Sequence, residues 1–109
     1  MPANLAFCLM CADLDRSAMF YRAAGLEFTE RPRSHHRREL VESPTGAFVL
    51  SSTGAGGPLV TTGAVVTIYA EDPEKPARNL IELNAPRISQ AGFSFLDPDD
   101  NLVHIVSPR

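Results

Sequence analysis

The run Asp97-Pro98-Asp99-Asp100-Asn101-Leu102-Val103-His104 places three carboxylates and one imidazole close together in the chain. Acidic groups at this density invite a calcium reading. An EF-hand loop needs a central glycine and a distal bidentate glutamate, and the run has neither at that spacing. A tight turn accounts for it better, because Asp-Pro opens a turn and Asp tolerates unusual backbone angles. His104 lies beyond the turn on an apolar segment. It is a candidate ligand-contacting donor, or an acid or base near neutral pH. The bland alternative is a half-buried histidine bonded to a neighbour, and the residues alone leave both open.

Cys8-Leu9-Met10-Cys11 has the C-x-x-C spacing of redox sites, and these are the two cysteines of the chain. Such a pair is reactive when it opens a helix, whose N-terminus lowers the thiol pKa. Here it sits inside an apolar run that reads as a strand. Residues three apart on a strand point to opposite faces, which opposes a disulfide. The expectation is two buried free thiols.

Arg31-Pro32-Arg33-Ser34-His35-His36-Arg37-Arg38 concentrates positive charge in a chain of net charge −3. A solvated loop and edge strand is the first reading, since arginines discourage edge pairing. An anion clamp at the rim of a site, with Arg38 as its candidate member, is the second. Nucleic acid comes last, because no aromatics interleave the charges and the overall balance is acidic. Ser52-Thr53-Gly54-Ala55-Gly56-Gly57-Pro58 is glycine-rich but lacks the Gly-Lys-Ser/Thr ending of a phosphate loop. It reads as a flexible linker.

These groups must be positioned by a small fold. The 109 residues suit one domain, and 44% hydrophobic content supports a core. Mean hydropathy of −0.07 and the short apolar stretch from Leu5 to Ala12 oppose a membrane span. That stretch also lacks the flanks of a signal peptide, so the expected location is cytoplasmic. The acidic balance, with pI about 5.5, gives no reason to expect nucleic acid or membrane partners.

Leu5 to Cys11 reads as a strand covered on both faces. Asp13 caps a helix that Gly25 stops, with Leu14, Ala18 and Tyr21 on one face and Phe20 beside them. Strands follow at Leu26 to Arg31, Arg37 to Glu42 and Ala47 to Ser52, the last two joined by a Ser43-Pro44-Thr45-Gly46 turn. The order then recurs. Ala64 to Ala70 is a strand, and Asp72 caps a helix with Pro73 at its first position. Asn84 and Pro86 end that helix. Ile88, Gly92 to Leu96 and Leu102 to Val106 supply the remaining strands.

The halves can be laid on each other. The helix caps align at an offset of 72 − 13 = 59, which matches Ala6, Cys8 and Met10 with Val65, Thr67 and Tyr69. The turns align at 97 − 43 = 54, which matches Leu50 with His104.

A β-α-β-β-β module used twice resembles the vicinal oxygen chelate superfamily, which includes glyoxalase I, extradiol dioxygenases, and fosfomycin- and bleomycin-resistance proteins. Two stretches carry the likeness. Asp13-Leu14-Asp15-Arg16-Ser17-Ala18-Met19-Phe20-Tyr21, with Gly25-Leu26-Glu27-Phe28, is similar to the family's D-L-x-x-S-x-x-F-Y…L-G-F. Phe95-Leu96-Asp97-Pro98-Asp99-Asp100-Asn101 is similar to its F-x-D-P-D-G-N, with Asp100 in place of glycine.

The resemblance implies an α+β fold. Two β-α-β-β-β modules (1–53 and 63–109, joined by a linker at 54–62) form mixed sheets curled into a cup, with helices outside. It implies metal ligands at Ala6, Leu50, Val65 and His104, and only the last can donate an electron pair. A family-type metal site is therefore not expected, nor any cofactor. The expected site is a mostly apolar small-molecule pocket built from Cys8, Met10, Leu50, Thr67, Tyr69 and His104, with Arg38 at its rim. The leading expectation is a metal-independent binding protein like the bleomycin-resistance branch. The alternative is a metal-dependent lyase or dioxygenase with atypical ligands including His104. A third reading is a degenerate dimerising or regulatory domain. The superfamily pairs modules within a chain or across a two-fold axis, so a homodimer is expected.

Overall fold

Strand β1 (Ala6–Cys11) is apolar at every position, yet among the described residues only the Leu9–Cys11 face is covered, and Phe7 at its start is exposed. Leu9 and Cys11 are buried, whereas Cys8 and Met10 are exposed. The expectation of a strand buried on both sides is therefore corrected. The expectation of two buried thiols holds for Cys11 alone, and both cysteines are free. The architecture comes from a computed structural model that describes residues 6–27, 38–43, 46–52, 63–89 and 92–108. The proposed linker at 54–62, the basic segment from Arg31 to Arg37 and the core of the expected strand after Gly25 lie outside the described residues.

Helix α1 (Leu14–Ala23) begins where Asp13 takes an extended conformation and its carboxylate accepts the Arg16 N–H at 3.2 Å. It ends in a left-handed turn at Gly25, φ +106°, with the Leu26 N–H bonded to the Tyr21 carbonyl at 3.0 Å. Such a φ favours a residue without a side chain. Leu14, Ala18, Phe20 and Tyr21 form the buried face. Each large side chain among them gains about 1.5–3 kcal/mol from leaving water.

Strands β2 (Arg38–Ser43) and β3 (Gly46–Ser52) complete the first sheet, in the order β1-β3-β2. β1 runs parallel to β3, and β2 runs antiparallel to it. Strand β4 (Val65–Tyr69) opens the second half. Helix α2 (Glu74–Glu82) follows. Its N-cap is Pro73, with no side-chain cap bond, so the expected Asp72 cap is displaced by one residue. Asp72 instead accepts the Lys75 N–H through its backbone carbonyl at 3.3 Å. Asn84, at φ +59°, turns the chain out of the helix. Strands β5 (Arg87–Ser89), β6 (Ser94–Leu96) and β7 (Leu102–Val106) finish a sheet of order β4-β7-β6-β5. Here β4 and β7 are parallel and the other pairs antiparallel. The fold is thus α+β with two mixed sheets, as expected. Among the described residues no helix is long and apolar enough to cross a membrane.

One core unites the two halves. Leu9, Tyr21 and Leu50 from the first meet Leu80, Phe95, Val103 and Ile105 from the second in a continuous buried cluster. A polar junction accompanies it. The Tyr21 hydroxyl donates to Asp97 Oδ2 at 2.6 Å, with both residues buried. Asp99 accepts the Ala12 N–H at 3.1 Å and the Ser17 hydroxyl at 3.3 Å. The acidic turn therefore anchors α1 to the second sheet.

Candidate functional site

Strict alternation on β4 and β7 sorts their side chains onto two faces. Val66, Ile68, Val103 and Ile105 point into the core. Val65, Thr67 and Tyr69 are exposed on the other side, and Leu102, His104 and Val106 are half-buried beside them. The register pairs Thr67 with His104 directly. On the far side of His104, β6 brings Ser94 opposite it, with the Ser94 hydroxyl 2.7 Å from Nδ1. Among the described residues the open face thus holds one imidazole between two hydroxyl side chains, within an apolar surround.

The first sheet repeats this face in apolar form. Its β1–β3 register pairs Ala6 with Ala47, Cys8 with Val49 and Met10 with Ser51. The β4–β7 register pairs Val65 with Leu102, Thr67 with His104 and Tyr69 with Val106. With β1 and β4 at the offset of 59, β3 and β7 align at 104 − 49 = 55. The counterpart of His104 is therefore Val49. Leu50, expected on the pocket wall, is fully buried and pairs with Leu9 on the core face. The error has a physical cause. The two turns differ in length by one residue, and a one-residue slip moves a strand side chain to the opposite face.

The structure places Cys8 and Met10 on the open face of the first sheet, and Thr67, Tyr69 and His104 on that of the second. Arg38 begins β2, opposite Ser51, and its side chain lies outside the described residues. Ser94 was missed. Its signal was present, because a hairpin centred on residue 99 pairs positions 94 and 104.

The corrected positions for a family-type metal are Ala6, Val49, Val65 and His104. Three of these side chains have no lone pair, so the set does not fit a divalent ion. Among the described residues, no three His, Cys, Asp or Glu side chains come together as a metal-holding group.

The acidic turn does structural work. Asp97 Oδ1 accepts the N–H groups of Asp99 at 2.9 Å and Asn101 at 2.8 Å. Its Oδ2 accepts from Tyr21 and from Asn101 Nδ2, the latter at 3.0 Å. Asp100 takes φ +64°, the left-handed conformation that the turn requires. Burial pushes the Tyr21 phenol well above its ordinary 10.0, and its bond to Asp97 adds to the rise. Burial likewise pushes the Cys11 thiol up to about 11. Burial raises the Asp99 carboxyl above its ordinary 3.8, against the lowering effect of the Ala12 bond. These groups sit at the junction of the halves and not on the open faces. A cleft of about 250 Å³ lies beside α1 and this turn, lined by Arg16, Met19, Leu83, Leu96 and Asp100 among others.

Solved structures share this architecture. A glyoxalase/bleomycin resistance protein from Albidiferax ferrireducens T118 superposes with a TM-score of 0.73 over 94% of this chain and 97% of its own, at 20% identity. The chain has the glyoxalase/bleomycin-resistance fold. This is the fold of the vicinal oxygen chelate superfamily that the two sequence stretches resemble. An antibiotic binding protein from Streptomyces sp. CB03234 matches with a TM-score of 0.64 at 19% identity, covering 100% of this chain and 98% of its own. A lactoylglutathione lyase from Agrobacterium tumefaciens matches with a TM-score of 0.65 at 18% identity, covering 94% and 91%. Proteins of this fold thus include both binders and enzymes. No protein-family model and no curated protein matches the sequence.

Proposed function

We propose that the protein is a metal-independent small-molecule binder that acts by sequestration. The observation that carries this reading is the composition of the open faces. Cys8, Met10 and Val49 on one sheet, and Val65, Thr67, Tyr69 and Val106 on the other, offer apolar and soft contact surface, with His104 the one imidazole among the described residues. Apolar walls with a few placed polar groups suit a small organic ligand. The antibiotic-binding relative in fold supports the same direction.

The faces are strongly exposed in a single chain. Tyr69 is 69% exposed, Val65 57% and Met10 39%. Apolar surface of this kind calls for a cover. A homodimer in which two copies close each cup is the arrangement proposed here.

The first test combines elemental analysis with ligand screening by calorimetry on wild type and His104→Ala. The expected result is no stoichiometric metal after exposure to Zn, Ni, Mn and Fe(II), and ligand affinity that falls about 5–10-fold in the variant. One tightly held ion per cup, lost on substitution of His104, would overturn the reading in favour of a metal-dependent lyase or dioxygenase.

A further inference from the structure

We propose that Ser94 holds His104 as the Nε2–H tautomer, so that the site meets its ligand with a hydrogen-bond donor and selects molecules carrying an exposed acceptor oxygen. The ligand class rests on the open face being a ligand site; the tautomer does not.

Ser94 and His104 are direct cross-strand partners on β6 and β7. Both are half-buried, and the hydroxyl oxygen lies 2.7 Å from Nδ1. That length lies at the centre of the range for hydroxyl donors and at the short edge of the range of about 2.7–3.2 Å for N–H donors to oxygen. Hydroxyl donors centre at about 2.7–2.8 Å, whereas N–H donors to oxygen centre at about 2.9–3.0 Å. The short length favours the serine hydroxyl as donor and Nδ1 as acceptor, which is the arrangement we assign. A neutral imidazole carries one N–H, which must then sit on Nε2. Thr67 stands opposite His104 on β4, so the histidine is bracketed by a short polar side chain on each neighbouring strand.

The consequence is a choice of partner. An Nε2–H donates to carbonyl, carboxylate or phenolic oxygen and offers no lone pair at that nitrogen. A histidine that ligates a metal is held the opposite way. Its second nitrogen carries the proton and donates it to a carboxylate, carbonyl or water. Ser94 instead places a donor there. For Nε2 to take a metal, the serine hydroxyl must rotate and the ring proton must move to Nδ1. One hydrogen bond thus favours acceptor oxygens and disfavours metal ligation through Nε2.

The test reads the ring nitrogens by nitrogen-15 NMR on the ligand-free protein at about pH 8.5, above the ordinary histidine range. His104→Gln assigns the signal among the three histidines. Wild type and Ser94→Thr should show the Nε2–H pattern, and Ser94→Ala should move toward a mixture of tautomers. An Nδ1–H pattern in wild type, or a Ser94→Ala spectrum identical to wild type, overturns the assignment. A second titration compares acetophenone with ethylbenzene, which lacks the carbonyl. The expected result is a shift of the Nε2 resonance by acetophenone alone. Equal shifts overturn the acceptor preference. No shift with either probe counts against both the ligand class and the binding reading, and leaves the tautomer to be judged by the first spectra.

Discussion

Replacing Tyr21 by Phe should weaken the junction between the two halves without changing its shape. The substitution keeps the ring, which packs edge-on against Phe20 with centroids 5.0 Å apart. It removes one hydroxyl that donates to the Asp97 carboxylate at 2.6 Å in a buried setting. A hydrogen bond to a carboxylate contributes about 1.5–3 kcal/mol. Asp97 Oδ2 still accepts from Asn101 Nδ2, so no oxygen of Asp97 is orphaned and the loss falls near about 2 kcal/mol. For a domain of this size that lowers Tm by about 8 °C. The assay is thermal and urea unfolding of Tyr21→Phe, Asp97→Asn and the double variant. Because the two groups share one bond, the cycle should show a coupling of about 1–2 kcal/mol.

The same bond sets an alkaline slope. The folded phenol stays protonated above 10.0, where the unfolded one ionises, so wild-type stability falls as pH rises through that value. The Tyr21→Phe variant lacks that component. A loss below about 0.5 kcal/mol, or additive single variants, would refute the view that this contact ties the halves together.

Further outcomes follow from the cysteines and the acidic turn. In native protein a thiol reagent should label Cys8 and spare Cys11, which reacts only after unfolding; equal labelling would contradict the burial. Because the Cys11 thiol is raised from 9.0 to about 11, wild type should lose stability from pH 9.0 to about 11 relative to Cys11→Ala. Asp99 is raised above 3.8, so its ionised form is the less favoured one in the folded state. Wild type should gain stability relative to Asp99→Asn as pH falls through the folded pKa toward 3.8, and a flat difference across that window would contradict the assignment.

Much of the fold was legible because local rules and tertiary demands agree. The Asp13 cap, the Leu14–Ala18–Tyr21 face and the Gly25 stop each follow from side-chain or backbone chemistry within one turn of the helix. Strand β7 runs from Leu102 to Val106 as its alternation requires. The misreadings arose where no local rule decides. Asp72 was expected to cap α2 with Pro73 at its first position, whereas the N-cap is Pro73, one residue on.

Residue types alone show that three of the four positions at which the resemblance implies a metal carry hydrocarbon side chains. Whether the counterpart of His104 is Leu50 or Val49, the residue is a hydrocarbon. Where each side chain goes depends on contacts made across the fold. Alternation names two faces of a strand but not which one the helix covers, and that choice sent Leu50 inward and left Cys8 outside. The pairing of Tyr21 with Asp97 spans 76 positions, and no local propensity carries information over that distance. The contact of Ser94 with His104 follows from the β6–β7 register, which sets the two side chains opposite each other.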